Sequence, residues 1–165
     1  MKELYVDELK DIYSAETQLV KALPKMAKAA VSAELRNGFQ EHLAQTGGHV
    51  TRLERIFEGL GEKPTGKKCE GMAGLIKEGG EAAEEDYEGD VKDSALIGAA
   101  QRVEHYEIAA YGTARAMAEK LGDEKAVQLL TQTLQEEKDT DVKLSKLSDK
   151  MKVEADQVKA FTAKR

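Results

Sequence analysis

Tryptophan is absent from this sequence, cysteine occurs once, proline twice, and aromatic residues make up only 5% of it. The single thiol, Cys69, excludes an internal disulfide and the paired spacings of a zinc ribbon, and it fits a reducing compartment. No apolar run is long enough to span a bilayer. The opening residues also lack the basic segment and unbroken apolar core of a secretory signal, since Asp7, Glu8, Lys10 and Asp11 interrupt them, so a cytoplasmic protein is expected. Excess positive charge is missing as well. The formal net charge of -6 argues against nucleic-acid and anionic-membrane partners and favours solubility.

What is present is alanine, glutamate, lysine and leucine in abundance, with 34% of residues charged, a composition that points to an all-α soluble protein. The 165 residues suffice for one domain, taken as 1–165, with a sizeable core. Four long patterns of helical period are predicted, at about 2–30, 34–60, 91–121 and 124–151, with a crossover at 62–90 and a tail at 152–165. Each apolar stripe is interrupted midway. In the first, Leu9, Ile12, Leu19, Leu23, Met26 and Ala30 flank Glu16, and Pro24 is expected to kink the helix without ending it. In the second, Leu35, Phe39, Leu53, Ile56 and Leu60 flank His42, Thr46 and His49, beside Gly47-Gly48. In the third, Ile97, Ala100, Ala114, Ala118 and Leu121 flank Glu104 and Glu107, three apart and therefore stacked on one face. In the fourth, stepping 127, 130, 134, 137, 141, 144, Val127, Leu130, Leu134 and Leu144 flank Glu137 and Asp141.

The turns fix where these interruptions meet. Ser32 is the expected cap of the second helix and Gly122-Asp123 the tight turn before the fourth. Counted from those turns at about 1.5 Å per residue, Glu16, His49, Glu104, Glu107, Glu137 and Asp141 all lie roughly 22 to 28 Å along their helices. They converge at mid-bundle. Two antiparallel pairs joined by one long crossover make a ferritin-like four-helix bundle, with short extra helices expected in the crossover and tail. Buried carboxylates without partners are costly, and carboxylates gathered with imidazole form a donor set suited to iron or manganese.

The segments Tyr13 to Leu19, Gly48 to Glu54, Val103 to Gly112 and Glu136-Glu137-Lys138 resemble the YciE/YciF family of bacterial ferritin-like stress proteins. More distantly the pattern is similar to rubrerythrins, whose dimetal site draws on a Glu, a Glu-x-x-His, a Glu-x-x-Glu and a second Glu-x-x-His from successive helices. The resemblance implies Glu16, His49, Glu104, Glu107 and Glu137 as metal ligands. Two positions depart from it, because Thr46 and Thr140 stand where a Glu and a His are expected. His42 and Asp141 share the stripes and are the available substitutes, as ligands or as partners of ligands. One or two ions per chain, iron or alternatively manganese, fit what remains. Rubrerythrins also carry a cysteine-rich electron-transfer domain that this sequence does not contain, so redox turnover requires an outside electron donor.

Other groups have plainer readings. The acids Glu78, Glu81, Glu84, Glu85, Asp86, Glu88 and Asp90 are expected to form a solvated helix face, and Cys69 a packed or exposed thiol without redox activation. His105 lies off the stripe, for the surface or a subunit contact. Tyr106 and Tyr111 are expected to pack, with a hydrogen bond to a ligand carboxylate as the alternative. Val153, Val158 and Phe161 have the spacing of a short docking helix. The alternative to metal at mid-bundle is a buried network paired with cations, yet no stripe carries Lys or Arg at that height. Two functions are expected: a metal-dependent oxidoreductase acting on peroxide or oxygen, or a non-catalytic structural stress protein with an incomplete or empty site. The resemblance implies a homodimer in both cases.

Overall fold

A computed structural model describes residues 1–152. Val153, Val158 and Phe161, and with them the expected docking helix, lie outside the described residues. Five helices and no strand occur among those described: α1 (Lys2–Ala29), α2 (Ala33–Leu60), α3 (Glu70–Glu84), α4 (Gly89–Leu121) and α5 (Glu124–Lys150). The fold is the all-α, ferritin-like bundle expected. Packing runs around a ring, α1 on α2, α2 on α5, α5 on α4 and α4 on α1, while α3 lies across α1 and α4. The crossover carries the chain back along the bundle, so ring neighbours are antiparallel.

Local chemistry sets the ends of the helices. Ser32 Oγ accepts from the Leu35 amide at 3.2 Å, and Asp123 Oδ1 from the Ala126 amide at 3.0 Å, each capping the helix that follows. Gly61 and Gly122 close α2 and α4 in the left-handed region, with φ of 69° and 72°. Pro24 sits inside α1, which continues past it. Within the crossover, the short helix expected there is α3, capped by Cys69 and buried through Met72 and Gly79. The acids named along it are exposed, as a solvated face requires.

Two buried side chains on the first turn of α4 tie the connections together. Asp93, 1% exposed, accepts from the amides of Val31 and Ser32 at 2.7 and 2.8 Å and so holds the α1–α2 turn. Lys92 donates to the carbonyls of Ala83 and Glu85, whose helix has ended and left them without partners.

Two apolar clusters fill the bundle. One, near the α1–α2 turn, contains Leu19, Leu23, Leu35, Phe39, Met72, Leu96, Ile97 and Leu144. The other, near the α4–α5 turn, contains Tyr5, Leu9, Ile12, Leu53, Phe57, Tyr111, Ala118 and Leu130. Between them lies a polar belt. Two expectations about the stripes need correction. Leu121 is 39% exposed, because it ends α4 beside the turn, and the inward stripe of α5 runs through Ala126, Leu130, Thr133, Glu137, Thr140 and Leu144.

Candidate metal centre

Glu16 on α1, His42 and His49 on α2, Glu104 and Glu107 on α4, and Glu137 on α5 meet in this belt, each at most 4% exposed. They form two overlapping groups. His42, Glu104, Glu107 and Glu137 offer ligand atoms that all lie within 4.8 Å of one another, and so do Glu16, His49 and Glu137. Glu137 belongs to both. Each group therefore has one imidazole, and one carboxylate lies where it can serve both.

The electrostatics are those of a site short of cations. Both oxygens of Glu107, Oε2 of Glu16, Glu104 and Glu137, and Nδ1 of His42 are buried without a hydrogen-bond partner among the described residues, and Nε2 of His42 and Nδ1 of His49 meet carboxylate oxygens only as ion-pair contacts. Each such atom costs roughly 1–3 kcal/mol, more when charged, unless a cation or proton compensates. Burial raises the carboxyls of Glu104 and Glu107 well above the usual range, and the charge of Glu137 pushes both the same way. Glu16 is raised too, chiefly by burial, against the pull of His49. Burial lowers His42. For His49, burial acts downward, but Glu137 and Glu16 push the imidazole up to about 10.

His49 shows how the site is oriented. Its Nε2 donates to Glu136 Oε2 at 2.9 Å, which leaves Nδ1 facing inward, 3.2 Å from Glu16 Oε1 and 2.9 Å from Glu137 Oε1. Arg52 holds Glu136 in turn, Nη1 and Nη2 each donating at 2.8 Å, and Nη1 also reaches Thr133 Oγ1 at 2.9 Å. Burial works against ionisation of Glu136, but the guanidinium keeps it below the usual carboxylate range. A carboxylate on the outer nitrogen of an imidazole is the arrangement that directs the inner nitrogen to a metal. Tyr111 completes the belt by donating from its hydroxyl to Glu16 Oε1. Both of its readings hold: Tyr111 packs in the second apolar cluster and its hydroxyl bonds a candidate ligand carboxylate.

The expected residues divide cleanly. Glu16, His49, Glu104, Glu107 and Glu137 are brought together, and His42 joins them, with Nε2 3.3 Å from Glu104 Oε1. Asp141 lies outside both groups, accepting from Gln101 at 3.0 Å and lying 3.4 Å from His105 Nε2. Thr140 takes the inward position instead. Thr46 and Thr140 bond back to their own helix, at the carbonyls of His42 and Glu136, and offer no ligand. His42, one turn before Thr46 on α2, is the donor that α2 contributes to the group with Glu104, Glu107 and Glu137. Cys69 is packed, its Sγ 2.9 Å from the Tyr106 hydroxyl, and burial and Asp11 raise its thiol pKa. His105 is exposed, as expected for the surface.

Arg52 and Glu136 were missed. No stripe carries Lys or Arg at mid-height, as expected, but Arg52 stands beside the α2 stripe, three residues after His49, and its long side chain reaches the edge of the belt from there. Its partner is Glu136, however, so the four central carboxylates gain no cation from it. The signal was the Glu136-Glu137 pair facing a His-x-x-Arg.

A family described as "Domain of unknown function (DUF892)" matches residues 1–157. The chain belongs to that family. Protein YciF of Escherichia coli is 45% identical over 149 residues, covering 90% of each chain. The crystal structure of that E. coli stress protein has a TM-score of 0.87 to this chain, covering 89% of this chain and 93% of that one. YcfI from Rhodopseudomonas palustris has a TM-score of 0.84 at 46% identity, covering 88% and 92%. A protein from Xanthomonas campestris, 20% identical with a TM-score of 0.71 over 98% and 96% of the two chains, shares the fold alone. The resemblance to YciE/YciF proteins read from four segments therefore extends over most of this family member.

Proposed function

We propose that this protein is a ferritin-like stress-response metalloprotein that holds two ions, iron or alternatively manganese, in the polar belt and reacts with peroxide or oxygen. One observation carries the reading: Glu137 is shared by two groups of buried donors, most of whose ligand atoms have no hydrogen-bond partner among the described residues. The donors fit the metals. Carboxylate oxygen with one imidazole per ion is a hard-to-borderline set, and four acids at mid-bundle suit cations that change oxidation state. Bound there, iron or manganese would supply one-electron chemistry toward peroxide or oxygen.

The chain's own residues do the rest: Glu136 orients His49, and Tyr111 restrains Glu16. Turnover draws electrons from an external donor, because the sequence holds one cysteine and no cysteine-ligated centre of its own. The family resemblance supports a homodimer, to be checked by sedimentation velocity.

Peroxide consumption by protein loaded anaerobically with ferrous or manganous ion tests the reaction. Consumption by wild type that is lost in Glu137→Ala is expected. Metal uptake without consumption would leave the non-catalytic reading, a stress protein that only holds metal.

A further inference from the structure

The two groups of donors in the belt differ in what lies beside them. A cavity of about 500 Å³, bounded by all five helices, adjoins the apolar cluster near the α1–α2 turn, and its volume is within the range of ligand pockets. His42 and Glu104, from one group, line it; Glu16, His49 and Glu137, the other group, do not. Apolar side chains and glycine make more than half of the wall, and His42, Glu104 and Thr140 are its buried polar residues. Four lysines and three glutamates stand exposed at the rim, where Lys25, Lys77 and Lys143 each pair with one of the glutamates.

A rim that largely cancels its own charge favours neither anions nor cations, and an apolar wall holds off a charged guest. The guest that fits is uncharged, with an apolar body and one polar end. It is also compact: the wall runs from Leu19 to Met26 on α1 and from Thr140 to Leu147 on α5, roughly 10 Å at the rise of a helix. Hydrogen peroxide has no apolar surface to bury there, and dioxygen fills little of the space. We propose that the cavity is the substrate pocket of the belt and takes a compact organic hydroperoxide, ROOH, with R against the apolar wall and the peroxide end at His42 and Glu104; this rests on the metal reading of the belt. Substrate then meets the ion position that His42 serves and not the one that His49 serves. Reduction of ROOH to ROH and water breaks the O–O bond and takes up two protons from solvent and two electrons, one from each of two ferrous ions in a single turnover.

Cumene hydroperoxide is the substrate probe, and its product, cumyl alcohol, the unreactive probe of binding. The alcohol is titrated calorimetrically against the metal-free full chain, and saturation at one per chain is expected. Ferrous-loaded protein is then mixed anaerobically with cumene hydroperoxide or with hydrogen peroxide, and one alcohol should form for every two ferrous ions that cumene hydroperoxide oxidises. Ala100 lines the cavity one turn before Glu104, so Ala100→Phe fills it. At Gly79 the nearest atoms that an added Cβ would meet belong to Met26 and Ala99, at 3.7–3.8 Å, so Gly79→Leu fills the cavity from α3 should the first variant misfold. Either change, in a variant that keeps its helical circular dichroism and metal stoichiometry, should weaken the alcohol about tenfold or more and lower the rate with cumene hydroperoxide, relative to that with hydrogen peroxide, by a similar factor. Wild type that binds no alcohol saturably, or folded filled variants that keep either the affinity or the ratio of rates, overturns the inference. Metal uptake and hydrogen peroxide consumption without alcohol binding or cumene hydroperoxide reduction sinks it alone, whereas absence of metal uptake sinks the metal reading and this one with it.

Discussion

Glu137 has an exposure of 0% and faces two imidazole-containing groups from the middle of α5. A carboxylate in that position is needed by both, whereas His42 serves one. Glu137→Ala should therefore abolish metal uptake, while His42→Ala should keep about half of it, as read by metal analysis after anaerobic loading. Equal loss in the two variants would mean that the groups do not act as separate positions. Tyr111→Phe and Arg52→Ala leave every ligand in place but release Glu16 and Glu136, and each should weaken affinity by about 10–100-fold with unchanged helical content. At this scale the candidate donors that interrupt a stripe were legible in the sequence, because an acid or imidazole between apolar neighbours is conspicuous. Arg52 and Glu136 were not, because they stand beside a stripe and enter through side-chain length. Asp141 was read as inward because steps of three and four can be phased two ways through Leu130, Glu137 and Leu144; the other phase puts Thr140 inside.

The helix ends carry the connections that keep the belt in register. Asp93 accepts two backbone amides of the α1–α2 turn from a buried position. Removing it strands both donors, so Asp93→Ala should cost about 2–3 kcal/mol in urea unfolding. Gly122 has φ of 72°, and Gly122→Ala should cost about 1 kcal/mol, the penalty of a side chain in the left-handed region. Helix ends were largely legible, since Ser32, Asp123 and Gly122 are strong signals for caps and turns. Lys92 and Asp93 were not. A charged pair at the start of an amphipathic helix reads as solvated, and only the fold shows that these two bind the ends of other helices. A short helix was expected in the crossover, but its glycines lower helix propensity and left its bounds open; packing against α1 and α4 sets them as those of α3.

In the whole molecule the belt makes stability depend on pH. His49, raised to about 10 by Glu137 and Glu16 against burial, binds a proton more tightly folded than unfolded. Its contribution is complete below about 6.5, the ordinary histidine value, and is lost as pH rises toward the folded value. Glu104 and Glu107, raised by burial, act with the same sign. His42, lowered by burial, opposes them only below its ordinary value. The thermal midpoint of metal-free protein, followed by circular dichroism in chelator, should therefore fall from about pH 6.5 to about pH 10. Bound metal replaces those protons, so affinity should rise over the same interval. The bundle itself was legible because four stripes, two tight turns and one long gap allow few arrangements. The cavity was not, because apolar periodicity reports which faces point inward and says nothing of how completely they fill the space.

The central claim is that the belt holds metal. Its most direct test is metal content by mass spectrometry of protein purified without affinity metals, before and after anaerobic loading with ferrous or manganous ion, beside the Glu104→Ala/Glu137→Ala double variant. The account predicts about two ions per chain in the wild type, as in other carboxylate bundles, and none in the folded double variant. A wild type that takes up no metal after loading, or a double variant that keeps full stoichiometry, would contradict it.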